Sequence, residues 1–476
     1  MATPPKPTRR HTLQGLGAAA LLPMAACGKD GAEDTGPDNR TLEDLLREKI
    51  DTVVVLMFEN RSFDHLMGAL SLEEGHPDVD GLTADMSNPH PDGSEVVVTP
   101  ATVECLTDPP HGWSSSHAQF NDGANDGFVT EYYPRNPDGV SEVMGYWNRD
   151  MIGALYPLAD AYTLCDKWFC SLMTSTWPNR FYSHAATNGG ETGNSLPAED
   201  FDHIYPRLAA AGWTWACYYP IAPFMVLLPG IGLPDTELLP IESFFLNASA
   251  GTLPNVCIVE PMFGYNDDHP PNHPKAAQTY LSTIYEALAQ SPQWDRTLLI
   301  ITYDENGGFY DHVPPPTAPD NHADTGHDQL GFRVPSLLVG PWVKPGFVSH
   351  DVYDHTSILA FLSMLYGTET LTKRDKNALP LLDCFDADAL RSNTPLAPIV
   401  VPPIVATEEE LYNSECVGIP GFATDNRPVQ PMHQPELEAY LDEHLLGTRL
   451  DRRAQSGEVY AFLLAKAVEL GALKRL

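Results

Sequence analysis

The stretch Thr297–Pro316, TLLIITYDENGGFYDHVPPP, decides how the rest of the chain is read. Leu298 to Tyr303 is a continuous run of β-branched and apolar residues. It is long enough for one strand buried on both faces, the pattern of a parallel sheet. The run ends directly in Asp304-Glu305, two adjacent carboxylates that repel each other unless a cation or a proton lies between them. Gly307-Gly308 follow and let the backbone turn sharply or approach a ligand closely. In open α/β sheets ligands bind beyond the carboxyl ends of the strands. Taken alone, the same residues also suit an ordinary solvated turn, because Asp, Asn and Gly are common turn formers.

Two other stretches repeat the arrangement. Val53 to Phe58 is apolar and ends in Glu59-Asn60-Arg61-Ser62-Phe63-Asp64-His65. Val256 to Val259 ends in Glu260-Pro261 and leads to Asp267-Asp268-His269-Pro270. Hard oxygen ligands converging from separate strands are what a divalent cation needs. Further strands are expected at Trp213–Tyr219 and Pro335–Val339. Helices are expected at Leu42–Ile50, capped by Thr41; through Leu281, Ile284, Tyr285 and Leu288; and at Thr356–Tyr366, closed by Gly367. Such alternation predicts a mostly parallel sheet covered by helices on both faces. Residues 71–150 lack periodicity and read as long loops beside the site.

The amino terminus reads as an export signal over residues 1–27. Arg9-Arg10 form a twin-arginine pattern, and an apolar run from Leu16 to Ala26 follows that is too short to span a bilayer. Met24-Ala25-Ala26-Cys27 resembles a lipoprotein cleavage box, with a lipid anchor on Cys27 or cleavage after Ala26 as the two outcomes. The mature protein is then periplasmic, membrane-anchored or secreted. Residues 28–40 read as a flexible tether, 41–394 as the catalytic domain, and 395–476 as a Pro-rich linker with a helical extension. Its two amphipathic helices carry Leu437, Tyr440, Leu441 and Leu445, then Val459, Phe462, Leu463 and Leu470, and read as packing or partner surfaces without chemistry. A net charge of −36 argues against nucleic acid as a partner and against electrostatic docking on anionic lipid. Eight dispersed cysteines without a CxxC pair argue against a zinc-thiolate site.

Ser171, Thr174, Ser175 and Thr176 form a hydroxyl cluster followed by Trp177-Pro178-Asn179-Arg180. Such clusters are usually caps and loops, but a hydroxyl beside a cation can become a nucleophile. Asn179 and Arg180 suit the oxygens of an anionic group. Pro178 biases Trp177 towards an extended conformation.

At this point the chain resembles a known family. ENRSFDH at 59–65, TSTWPNR at 174–180, DDHP at 267–270, TYDENGGFYDHVPPP at 302–316, RVPSLLVGPWVKPG at 333–346 and YDHTSIL at 353–359 follow the order seen in the bacterial phosphoesterase family. That family joins phosphatidylcholine-type phospholipases C to an acid phosphatase. The resemblance spans about residues 51–386 and implies an alkaline-phosphatase-like three-layer α/β/α sandwich. It implies one divalent metal ion on Glu59, Asn60, Thr176, Asp304 and Glu305, with Thr176 as nucleophile and a phosphothreonine intermediate. His269, with His111 and Asp268, is implied in contacting phosphate oxygens or protonating the leaving group. Asn306 and Gly340 stand where many relatives carry His and Ser.

Three readings follow. The first is an exported metal-dependent phosphoesterase, cleaving phosphodiesters in phospholipase C fashion or acting as an acid phosphatase on monoesters; its partner is a phosphate ester, a phospholipid among the candidates. The second keeps the fold with sulfate or other ester hydrolysis. The third is a non-enzymatic, cation-stabilised surface lipoprotein. An intact hydroxyl at Thr176 beside four expected ligands favours an enzyme. Trp113, Trp147, Trp177 and Tyr133 are candidates for an aromatic box around a choline headgroup.

Overall fold

A computed structural model of the chain describes residues 39–198, 200–232, 234–413, 416 and 434–476. The expected export signal, the lipid-anchor cysteine and the tether lie outside these residues, apart from the tether's last two.

Eight strands form one sheet: Thr52–Phe58 (β1), Thr163–Cys165 (β2), Trp215–Tyr219 (β3), Leu238–Pro240 (β4), Val256–Val259 (β5), Thr297–Tyr303 (β6), Leu337–Val339 (β7) and Phe347–Ser349 (β8). Their spatial order is β8-β2-β7-β6-β1-β5-β3-β4. All seven residues of β1 and all seven of β6 are buried, as their unbroken apolar runs require. These two strands are parallel neighbours, in register from Thr52 opposite Thr297 to Phe58 opposite Tyr303. β5 flanks β1 on the other side, with Val53 opposite Val256 and Leu56 opposite Val259. The three runs singled out in the sequence are therefore adjacent, and their carboxyl ends open at one edge. β7 is the exception to the parallel pattern: it runs antiparallel to both β6 and β2. A short buried run carries no mark of strand direction, so the sequence could not distinguish this.

Helices Leu42–Lys49 (α1), Thr176–Ala185 (α2) and His355–Tyr366 (α4) pack together, while Pro274–Ala289 (α3) packs on Ser456–Leu470 (α6). The result is a three-layer α/β fold with a mostly parallel central sheet. α1 starts at a capping box between Thr41 and Asp44. α4 stops where Gly367 adopts φ 70°. The helix expected through Leu281 begins at Pro274, a residue suited to the first turn. The region expected as loops contains the helices Trp113–Phe120 and Phe128–Tyr132.

Residues 40–476 form one compact unit. Its carboxyl part is closed on itself where Ile404–Ala406 pairs in parallel with Leu473–Arg475, and it is tied to the rest in two ways. A disulfide joins Cys105 to Cys416. Pro435–His444 (α5) buries Leu437 and Leu441 completely. Cys165, Cys170, Cys217, Cys257 and Cys384 are free and buried. Among the described residues no helix is long and apolar enough to cross a membrane.

Candidate active site

The strand ends are stitched together by backbone hydrogen bonds. Asp304 N–H donates to the Phe58 carbonyl at 3.1 Å, Arg61 N–H to Glu305 at 3.1 Å, and Glu59 N–H to Asp267 at 2.9 Å. Asn60 takes the left-handed conformation, φ 61°, and its N–H donates to Asp304 Oδ1 at 3.2 Å. Gly307 permits this close approach. It also has positive φ, and a Cβ there would lie 2.3 Å from the Asn60 carbonyl oxygen.

Glu59, Asp304 and Glu305 are completely buried. Burial raises all three from their ordinary values, Glu305 to about 8. A single guanidinium faces two of them: Arg180 Nη2 donates to Glu59 Oε1 at 3.2 Å and its Nε to Asp304 Oδ2 at 3.1 Å. Among the described residues Glu59 Oε2, Asn60 Oδ1 and Glu305 Oε1 are buried without a hydrogen-bond partner. Leaving such atoms unmatched is costly, at about 1–3 kcal/mol each. Three acids against one guanidinium, with three unmatched hard oxygens, fit a divalent cation.

Thr176 is the first residue of α2, a helix with every residue buried. Its hydroxyl carries no hydrogen bond to a described residue, whereas Thr174 Oγ1 donates to the Thr192 carbonyl at 2.6 Å. Arg180 lies one turn further along, so Thr176 and Arg180 share the helix face turned to Glu59 and Asp304. The helix amino terminus favours negative charge at Thr176. Pro178 does not hold Trp177 extended, as expected; Trp177 is helical, because proline is tolerated in a first turn whose N–H groups need no partner. Asn179 is also corrected. Its Oδ1 accepts from Leu172 N–H at 2.8 Å, and its Nδ2 donates to the carbonyls of Leu172, Thr174 and Ser175. The carboxamide holds the hydroxyl-bearing turn and is not free for substrate oxygens. Arg180 is likewise engaged by the two carboxylates.

Two loops approach from the sides. His111 Nδ1–H donates to the Pro109 carbonyl at 2.7 Å, which turns Nε2 towards Asn60 Nδ2 at 3.2 Å and Glu305 Oε1 at 3.7 Å. Burial lowers the His111 pKa, but Glu305 and Asp108 outweigh it and the net shift is upward. His269 is buried, donates from Nδ1 to the Pro270 carbonyl, and has its pKa lowered to about 3 by burial and by His111. Ligand atoms of Asp108, His111 and His269 lie within 4.8 Å of one another. Asp268, φ 72°, accepts from the Tyr303 hydroxyl at 2.8 Å, and its carbonyl accepts from Arg61 Nε at 2.9 Å. Arg61 in turn stacks on Trp147 and Phe309.

The structure therefore gathers Glu59, Asn60, Arg180, Asp304 and Glu305, with Thr176 one helical turn from Arg180, His111 beside Asn60 and Glu305, and His269 packed on His111. The four aromatic candidates do not converge. Trp147 packs on His65 and Arg61, Trp177 on Phe224, Trp113 on His117 and His327, and Tyr133 on His90. His312 bonds Asp64 at 2.7 Å, and His355 Nε2 donates to the Asp304 carbonyl at 2.7 Å while its Nδ1 accepts from Trp168. Both are structural. Sequence reading missed Asp108 and Gln434; the latter donates from Nε2 to Glu59 Oε1 at 2.6 Å. Nothing in the Pro-rich stretch around Gln434 signals such a contact.

A sheet with buried acids at its carboxyl edge, beside a helix whose Thr176 hydroxyl is bonded to no described residue, suits phosphoryl-transferring hydrolysis. Residues 50–369 match the Phosphoesterase family, and the chain belongs to it. It is 34% identical to non-specific phospholipase C1 of Arabidopsis thaliana over 68% of this chain and 69% of that one. It is 33% identical to phospholipase C A of Mycobacterium tuberculosis over 75% of this chain and 79% of the relative. Plant as well as bacterial proteins are thus among its relatives. A solved protein of the alkaline phosphatase superfamily from Vibrio parahaemolyticus aligns with 70% of this chain and 77% of its own, at 12% identity and a TM-score of 0.33. The chain is a phosphoric ester hydrolase of phospholipase C-like type.

Proposed function

We propose that the protein is an exported, metal-dependent phosphoesterase that cleaves phosphodiesters in phospholipase C fashion through a phosphothreonine. The carrying observation is Thr176, a buried residue whose hydroxyl is bonded to no described residue, on the helix face that presents Arg180 to Glu59 and Asp304.

Glu59, Asn60, Asp304 and Glu305, with the Thr176 oxygen, would hold a divalent cation, which would lower the pKa of the hydroxyl and neutralise nonbridging phosphate oxygens. The Thr176 oxygen forms the new bond to phosphorus as the bond to the alcohol leaving group breaks. The leaving oxygen takes a proton from His111 Nε2, the ring nitrogen turned into the site by the Nδ1–H bond to the Pro109 carbonyl. His269, neutral through burial and with its Nδ1–H on the Pro270 carbonyl, presents Nε2 to the site as an acceptor. Water then attacks phosphorus and returns a proton to His111 Nε2, the bond to Thr176 breaks, and the phosphomonoester departs. Arg180 keeps Glu59 and Asp304 in place throughout.

The Cys105–Cys416 disulfide supports export, because such bonds persist in oxidising compartments. The twin-arginine pattern and the Cys27 box support the same reading. The purified mature protein should hydrolyse phosphocholine diesters and lose that activity on chelation. Preference for simple monoesters would move it to the acid phosphatase branch, and preference for sulfate esters would remove the phosphoesterase mechanism. Mass spectrometry of the amino-terminal peptide tests anchoring: an unmodified Cys27, or a start beyond it, excludes the lipid anchor.

A further inference from the structure

Gln434 lies beyond residues 50–369, the part of the chain that matches the family. It is the residue before α5, in the position where a side chain ordinarily caps its own helix, and it makes no such bond. Its carboxamide is instead buried in the site. Nε2 donates to Glu59 Oε1 at 2.6 Å, and Oε1 accepts from the indole N–H of Trp177 at 3.2 Å. Trp177 follows Thr176 directly and is itself fixed: its backbone N–H donates to Asn194 Oδ1 at 2.9 Å, and its ring packs edge-on to Phe224. α5 holds Gln434 from behind through fully buried Leu437 and Leu441.

Glu59 is consequently pinned through one oxygen only. Oε1 receives Arg180 and Gln434, whereas Oε2 is buried with no partner among the described residues. A neutral amide suits this position. It supplies a second donor without a second positive charge, which would oppose a cation at Oε2 by like-charge repulsion. A glutamine that merely satisfied itself in the core would not need to bridge a site carboxylate and the residue next to the nucleophile.

We propose that Gln434 is a positioning residue: it orients Glu59 so that Oε2 faces the cation site, and couples that carboxylate to the turn carrying Thr176 through Trp177. The carboxyl-terminal extension thereby completes the active site. This rests on the metal-dependent reading above, and the experiment separates the two.

The chelator-treated full-length mature protein is titrated with Ca²⁺, Mn²⁺ and Zn²⁺ by calorimetry, alongside Gln434→Leu, Trp177→Phe and the double variant. Groups that orient a metal ligand typically contribute about 10–100-fold in affinity. Gln434→Leu, which keeps the volume and loses both polar atoms, should weaken cation binding by about tenfold or more. It should lower kcat while leaving KM within about twofold, since Gln434 does not touch substrate. Trp177→Phe, which removes only the indole N–H, should give a smaller loss of the same kind, and the double variant should equal Gln434→Leu alone. Should Gln434→Leu fail to fold, the Trp177→Phe titration decides, and a wild-type affinity there overturns the proposal. Wild-type cation binding and kcat in Gln434→Leu, or strictly additive losses in the double variant, also overturn it. A wild-type protein that binds none of the three ions and ignores chelator removes the metal-dependent reading, and this proposal with it.

Discussion

At Thr176 the neighbouring hydroxyls separate into different tasks. Thr174 is bonded to the Thr192 carbonyl, and Ser175 stands at the helix cap position without capping it, so only Thr176 shares the face of Arg180. Thr176→Ala should therefore reduce turnover by several orders of magnitude, since water lacks the positioned attack of the side chain. Ser175→Ala should cost less than about tenfold, and Thr176→Ser should keep measurable activity because the oxygen survives. Acid quench during turnover with peptide mapping should find phosphate on the peptide containing Thr176; a dead Ser175→Ala beside an active Thr176→Ala would shift the nucleophile by one residue. The acids facing it allow a second prediction. Removing a bound divalent cation leaves Glu59, Asp304 and Glu305 with only Arg180 and His111 close by as counter-charges among the described residues, so chelation should lower the Tm as well as activity. A ligand at 100 times its Kd adds about 2.7 kcal/mol. An unchanged Tm on chelation would mean that no cation offsets these charges.

Elements explain what could be read ahead of the fold and what could not. β1 and β6 were legible because their six-residue runs of apolar and β-branched residues suit burial on both faces, and the acids at their ends were legible because nothing separates them from those runs. Asn179 was misjudged because type and spacing do not say where an amide points, and here it closes the turn behind it. Gln434 was invisible because its partner, Glu59, is 375 residues away in the chain. The Glu305–Gly308 turn carries its own test. A methyl at Gly307 would collide with the Asn60 carbonyl in a conformation that side chains disfavour. Gly307→Ala should displace Asn60 and weaken cation binding, read by calorimetry, while the far-UV circular dichroism of the β6 core stays as it is. Wild-type affinity in this variant would mean that the Asn60 loop is not held by this contact.

Across the whole molecule, buried charge clusters lock loops to the sheet. Arg333 bonds Asp311 at 2.9 Å and Asp64 at 3.0 Å, and His312 joins them through Asp64. Burial alone would lower the His312 pKa, but Asp64 outweighs it and raises it from 6.5 to about 9. A histidine whose folded pKa is raised stabilises the fold fully below its unfolded pKa, and that contribution disappears as pH climbs through the folded one. Resistance to urea should thus fall between about pH 6.5 and 9, by an amount on the order of 3 kcal/mol. His312→Gln should flatten that slope; an equally steep slope in the variant would assign the effect to another group.

The placing of β1 beside β6 has a consequence for how the protein is made. Thr52 finds its partner only in Thr297, and Val53 its other neighbour only in Val256. At 5–20 residues per second, ribosomes need on the order of tens of seconds to bridge that gap. Throughout that interval the nascent chain carries a bare, fully apolar strand with both edges unpaired, the kind of segment that aggregates or is held by chaperones. The catalytic edge comes into being only when the last strand of the trio emerges, so a truncated translation product has no partial activity to offer.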